Sequence, residues 1–218
     1  MEASTLDGRR VRGDKTRRAI LSRAAQIASV EGLEGLSLGR LAADLGISKS
    51  GLFAHFGSKE ELQIKTLRAA RRIFYESAVK PAEDAPEGIE RLAALMAADL
   101  EYLAGDAFAG GCLFIGSAVE YDARPGPIRD LVAETMASWL ELLTEHARIA
   151  RQRGELRDDV DPRGLAWELH AFSLALNWDC QLNHAPDALQ RARTAAGARL
   201  RAAATARGRR TLTATATL

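Results

Sequence analysis

Side chains that could do covalent or metal chemistry are few in this chain, and they are scattered. His55, His146 and His170 show no metal-ligand spacing, and no Ser/His/Asp order or framed acidic pair accompanies them. Cys112 and Cys180 are too few for a disulfide framework and lack metal-ligand spacing, so both are expected as reduced thiols. Gly111, Gly116 and Ser117 have the spacing of a phosphate loop, but the lysine is missing and no strand precedes them. Neither an enzyme nor a bound cofactor or metal is expected. The chemistry left is recognition of phosphate and base edges, and its residues concentrate in one stretch: Ser37, Arg40, Ser48, Lys49, Ser50, Gly51, Phe53, His55 and Lys59. Ser37, His55 and Lys59 suit phosphate, Arg40 suits phosphate or base, and Lys49 and Ser50 suit base edges. Gly51 permits close approach of the backbone.

Three short helices would have to position these groups. Ser37 is a plausible N-cap, and Leu38, Leu41, Ala42 and Leu45 follow at i, i+3, i+4 and i+7, one apolar helical face. Gly46 ends that helix, Ile47 turns and Ser48 caps a second helix over residues 49–55. This second helix buries Leu52 and turns Lys49, Ser50 and Phe53 outward. Gly57 breaks the chain, and Ser58 with Glu61 gives an S-x-x-E capping box for a third helix reaching about residue 79, with Ile64, Leu67 and Phe74 as its candidate buried side. Helix, glycine turn and short helix make a helix-turn-helix, whose second helix enters the major groove. Residues 16–31, with Ile20, Ala24, Ile27 and Ala28 on one face, supply a preceding helix.

The run S-K-S-G-L-F-A-H-F-G-S-K-E-E-L resembles the helix-turn-helix signature of the TetR (tetracycline-repressor-like) family, over about residues 16–64. Phe53 stands where the family usually has tyrosine, so no phenolic hydroxyl is available there for phosphate. Arg40 stands where an acidic residue is common. The resemblance implies a homodimer, a palindromic duplex operator and a small-molecule effector. Gly111-Cys112 and Arg124-Pro125-Gly126-Pro127 also resemble the start and end of a central helix in the ligand-binding half of one group of these proteins.

Composition agrees with an all-α globular protein. Of 218 residues 47% are hydrophobic, alanine and leucine dominate, and β-branched residues are sparse. No apolar run is long enough to cross a bilayer, and none near Met1 resembles a signal peptide, so a cytoplasmic location without membrane partners is expected. Residues 1–80 hold 15 Lys+Arg against 9 Asp+Glu, and residues 81–218 hold 15 against 20. A basic module thus precedes an acidic one, the electrostatic footprint of phosphate contact. The expected division is a DNA-binding domain over 1–57 with a flexible basic arm over 1–13 (Arg9, Arg10, Arg12), a helical regulatory domain over 58–207, and a disordered tail over 208–218.

In the regulatory part a stripe of Ile89, Leu92, Ala93, Met96, Leu100 and Leu103 predicts one helix, residues 128–153 another, and Asp161-Pro162 starts a third. Pro186 opens a fourth, over 187–206. The helix after Pro162, with Leu165, Trp167, Leu169, Phe172, Leu176 and Trp178, is apolar nearly all round and would pair with its copy together with the last helix. Candidate groups for an apolar or aromatic ligand are Phe108, Cys112, Phe114, Tyr121, Trp139, His146, His170, Phe172 and Asn177, with Cys180 nearby in sequence. The function these features imply is a dimeric transcriptional regulator, a repressor released by ligand, with the helix from Ser58 transmitting the change. The competing expectation is an all-α small-molecule sensor or scaffold dimer that binds no specific DNA.

Overall fold

The computed structural model describes the backbone of residues 3–215 and 218, and the side chains of residues 16–213 and 218. Among these residues there are ten α-helices and no strand beyond an isolated bridge between Leu156 and Ala204. They fall into two compact units: residues 1–72 with 108–132, and residues 73–107 with 133–218.

The first unit holds α1 (Ala3–Glu31), α2 (Leu38–Leu45), α3 (Lys49–Phe56), α4 (Lys59–Phe74) up to Arg72, and α6 (Leu113–Tyr121). Its core is leucine-rich because each short helix turns one stripe inward: Leu33, Leu36, Leu41, Leu52, Phe56, Leu62 and Leu67 are all buried. The buried side of α4 is Leu62, Gln63, Thr66, Leu67 and Ala70, whereas Ile64 and Phe74 are only half-buried. The sequence places α6 outside the DNA module, but it packs within this unit. Ala109 N donates to Gln26 Oε1 (3.1 Å) and Gly110 N to Ser29 Oγ (3.2 Å), and a Cβ on Gly110 would lie 1.9 Å from the Ser29 carbonyl oxygen. Only glycine allows that approach.

The backbone of residues 3–13, expected as a flexible arm, is helical and continuous with the rest of α1. Extending a helix that already exists adds one hydrogen bond per residue and avoids the cost of nucleation. The side chains of Arg9, Arg10 and Arg12, together with Met1 and Glu2, lie outside the described residues.

The second unit is arranged around α5 (Ile89–Ala104), which packs against α8 (Pro162–Gln181), α9 (Ala188–Ala203) and α10 (Ala206–Thr215). Most of α7 (Pro127–Gln152) belongs here too. The N-terminus of α5 is capped from a distance: the buried Glu155 carboxylate accepts from Ile89 N at 3.0 Å. Asp161 caps α8, accepting from Gly164 N at 2.8 Å with Pro162 in the first turn, as the sequence predicts. The helix from Ser58 keeps helical backbone to about residue 79, as expected, but its last turn is not α-helical. After Phe74 the backbone continues through a π-helical turn, Tyr75–Val79, and a 3₁₀ turn, Lys80–Ala82. The tail is also different from expectation. Thr205 accepts from Gly208 N through Oγ1 (3.2 Å) and so caps α10, giving helix where the sequence predicts disorder. That cap was legible in Thr205-Ala206-Arg207-Gly208; of the tail, residues 216 and 217 and the side chains of residues 214 and 215 lie outside the described part.

Candidate DNA-contact surface

The turn between α2 and α3 is built by caps. Ser37 Oγ accepts from Arg40 N at 3.1 Å, leaving its own hydroxyl proton free to donate. Gly46 takes the left-handed conformation (φ 64°) and its N–H returns to Ala42 O, closing α2. Ser48 Oγ accepts from Gly51 N (3.1 Å) and from the Ser50 hydroxyl (3.3 Å), which fixes the first turn of α3. Leu52 and Phe56 anchor α3 from beneath. The opposite side is open: Lys49, Ser50, Gly51, Ala54 and His55 are exposed, and Phe53 is 58% exposed. Among the described residues Lys49 makes no ion pair. At the next turn Ser58 Oγ accepts from Glu61 N (3.0 Å), but the reciprocal half of the expected capping box is absent. Ser58 N donates to Phe56 O, and Glu61 pairs with Lys65 instead (2.8 Å), which holds its carboxyl below the usual range.

Two of the nine predicted contact residues, Arg40 and Lys59, are held in ion pairs inside the unit. Arg40 reaches Glu31 (2.6 Å from Nη2) and, at 3.5 Å, Asp44. Arg23 grips Asp44 through two bonds of 2.6 and 2.7 Å. Hydrogen bonding from Arg40 lowers the Glu31 carboxyl, and that from Arg23 lowers Asp44, so this cluster stitches α1 to α2 in its ionised form. Lys59 Nζ donates to Glu34 Oε1 at 2.5 Å. Glu34 is a residue the sequence reading missed. Its carboxyl is lowered first by Lys59 and then by the Tyr121 hydroxyl.

The candidate ligand groups divide between the units. Phe108, Cys112, Phe114 and Tyr121 are buried in the first unit. Cys112 lines a cavity of about 240 Å³ between the end of α1 and α6, with Ala28, Leu33, Leu113 and Ser117. Tyr121 does not line it; its hydroxyl donates to Glu34 Oε2 (3.0 Å) and accepts from Gln63 Nε2 (3.3 Å). Trp139, His146, His170, Phe172 and Asn177 lie in the second unit. Trp139 is buried edge-on against Phe74, with ring centroids 5.2 Å apart. Among the described residues His146 and His170 each hold Nδ1 buried without a partner, and burial pushes both rings toward the neutral form. Phe172 and Cys180 are half-buried, and Asn177 is buried. Asp99 of α5, also missed, is 3% exposed and accepts from Ser173 Oγ at 2.6 Å; burial raises its carboxyl to about 7. Its signal was present, since Asp99 falls four residues from Leu103 and seven from Leu92 on the apolar stripe of α5.

Among the described residues no helix is long and apolar enough to cross a membrane, and no cluster of His, Cys, Asp and Glu could hold a metal. Residues 20–64 match the family model for bacterial regulatory proteins of the tetR family, and residues 88–196 match that of the tetracyclin repressor-like C-terminal domain. None of the curated proteins matches. Solved structures do. A TetR transcriptional regulator from Chloroflexus aurantiacus J-10-FL shares the fold with TM-score 0.81 at 23% identity, covering 88% of this chain and 98% of that one. AibR, crystallised with isovaleryl coenzyme A and operator DNA, is 25% identical with TM-score 0.68 over 83% of this chain and 96% of its own. A cysteine mutant of CifR, a TetR family regulator complexed with a 26 bp operator duplex, is 26% identical with TM-score 0.70 over 84% and 94%. An all-helical chain with a serine-capped helix-turn-helix, matched by one family model across that motif and by a second across half its length, belongs to the TetR family of DNA-binding transcriptional regulators.

Proposed function

We propose that the protein is a homodimeric repressor that reads a palindromic operator with two copies of α3 and leaves it when a small, largely apolar ligand binds. The observation that carries the DNA reading is the open face of α3, where Lys49 is exposed and, among the described residues, makes no ion pair beside Ser50 and Gly51. A cation kept out of ion pairs is available for base edges, and Phe53 offers an apolar surface suited to a thymine methyl. Ser37 and His55 take phosphate roles, and so does Lys59, which must first leave Glu34. Arg40 is held by Glu31 and Asp44 and would have to exchange these for DNA.

The dimer is supported by α8. Trp167 is 64% exposed, Trp178 63%, Leu182 74% and Leu174 37%, and their spacing puts them on one stripe of the helix. Two-fold pairing of that stripe would bury four large apolar side chains per copy. For the ligand, we assign the polar contacts to His146, His170 and Asn177 and add Asp99, with Trp139 and Phe172 as apolar wall. AibR's complex with both isovaleryl coenzyme A and operator DNA supports a ligand-responsive regulator.

Selection of duplexes from a random pool tests this reading. It should return a sequence with two-fold symmetry, bound by a dimer. A sensor or scaffold without specific DNA binding would enrich no site at all, and that outcome sinks the proposal. By linkage, once a ligand is known, operator must weaken ligand affinity by the same factor that ligand weakens operator affinity; unequal equilibrium factors would reject release by ligand.

A further inference from the structure

Glu34 stands at the junction of three elements of the first unit. Its backbone N–H, with that of Leu33, is held by the Glu120 carboxylate, each bond 2.8 Å. Its own carboxylate is shared: Oε1 accepts from Lys59 Nζ (2.5 Å) and Oε2 from Tyr121 Oη (3.0 Å). Gln63 completes the frame, donating to Leu33 O at 2.6 Å and to Tyr121 Oη at 3.3 Å. Glu120 and Tyr121 end α6, and Lys59 begins α4. Gln63 and Tyr121 of this network are buried, while the Lys59–Glu34 pair is open to solvent, with side chains 40% and 53% exposed.

We infer that Glu34 is an internal competitor for Lys59, occupying the ammonium that would otherwise meet a DNA phosphate, and that Tyr121 positions the carboxylate to do so. This rests on the reading of Lys59 as a phosphate contact. A DNA phosphate and the Glu34 carboxylate are both anions seeking the same donor, so one must leave before the other is bound. The intramolecular carboxylate has the advantage of proximity, but an exposed ion pair is weak, corresponding to a factor of about two to five. Phosphate can therefore displace it, at a penalty set by how firmly Glu34 is aimed. Tyr121 does the aiming: it is buried, its hydroxyl is fixed by Gln63, and without it the half-exposed Glu34 side chain is free to sample other rotamers. The end of α6 thereby sets how much positive charge the start of α4 presents to DNA.

The test is binding of the full chain to a labelled random-sequence DNA duplex, followed by anisotropy across a KCl series. Glu34→Gln should tighten binding by about two- to fivefold per protomer at low salt and steepen the salt dependence by up to about one unit of slope. Tyr121→Phe should act in the same direction and less. In a Lys59→Ala background both effects should vanish. Glu34→Ala is the second variant and must agree in sign with Glu34→Gln. The inference is overturned if Glu34→Gln leaves affinity unchanged or weakens it, or if its gain survives undiminished with Lys59→Ala, which would mark a general charge effect. Weaker binding by Tyr121→Phe overturns the positioning role. If Lys59→Ala alone changes neither affinity nor slope, it is the phosphate reading of Lys59 that fails.

Discussion

In the unit formed by residues 1–72 and 108–132 three ion pairs link neighbouring elements at the surface: Arg23 with Asp44, Arg40 with Glu31, Lys59 with Glu34. The other unit has surface ion pairs too, such as Arg153 with Glu87, but it also buries polar groups that are driven toward neutrality: Asp99 against Ser173, and His146 and His170, whose Nδ1 atoms have no partner among the described residues. The contrast follows from solvent. A surface that must meet phosphate keeps its charges hydrated and exchanges one partner for another at small cost. An apolar interior penalises any charge without a partner, so its titratable groups lose their charge instead. Reversible contact with a polyanion suits the first environment, and recognition of a mostly apolar molecule suits the second.

The largest effect expected from breaking this contrast is at the exposed apolar stripe of α8. Trp178→Glu places a charge where two copies should meet, and the protein should stay helical but sediment as a monomer, with specific operator binding lost by two orders of magnitude or more, on the order of 3 kcal/mol. A wild-type protein that is already monomeric at micromolar concentration would remove the premise.

Next is the buried carboxyl. The folded-state value for Asp99 is raised to about 7, above its unfolded value, so between these the folded chain binds the extra proton. The contribution of Asp99 to stability should therefore fall as pH rises from about 4 to about 7, by on the order of a few kcal/mol in all. Asp99→Asn keeps the acceptor for Ser173 and has no proton to lose. The difference in melting temperature between Asp99→Asn and the wild type should widen in favour of the variant as pH rises through that window, with the variant the more stable at pH 8. Parallel pH profiles for the two proteins would mean that Asp99 is more hydrated than its burial implies.

On the DNA side, Lys49→Ala should cost about 1–3 kcal/mol at particular base pairs of a selected operator and relax preference there. A uniform loss over all operator variants would move Lys49 from base reading to phosphate contact. The smallest effect expected is at Phe53, where Phe53→Tyr adds a hydroxyl on an exposed face of α3. Tighter operator binding by about 1 kcal/mol is expected if a phosphate lies within reach. Unchanged binding, with weaker binding to a duplex whose thymines are replaced by deoxyuridines, would instead favour a methyl contact for this ring.

The helix-turn-helix was legible because its determinants are local. Ser37, Ser48 and Ser58 cap within three residues, Gly46 and Gly57 stop helices where they stand, and the spacing of Leu38, Leu41 and Ala42 defines a buried stripe. The same locality explains Asp161-Pro162 at the start of α8. It also explains where local rules overreached: the S-x-x-E pattern predicts a reciprocal cap, but Lys65, one turn further along α4, offers Glu61 a better partner than the Ser58 N–H.

What tertiary structure alone decided is which groups from distant segments meet. The capping of α5 by Glu155, the hold of Glu120 on the turn after α1, and the capture of Lys59 by Glu34 with Tyr121 join residues far apart in the chain. Lys59 looks free in the sequence because its competitor lies 25 positions earlier. Asp99 looks like one more charge on an amphipathic helix until α5 is covered on several sides and the carboxyl has no water left. Periodicity determines which face of a helix is apolar. It carries no record of what will be packed against that face, and desolvation and ion pairing depend on that alone.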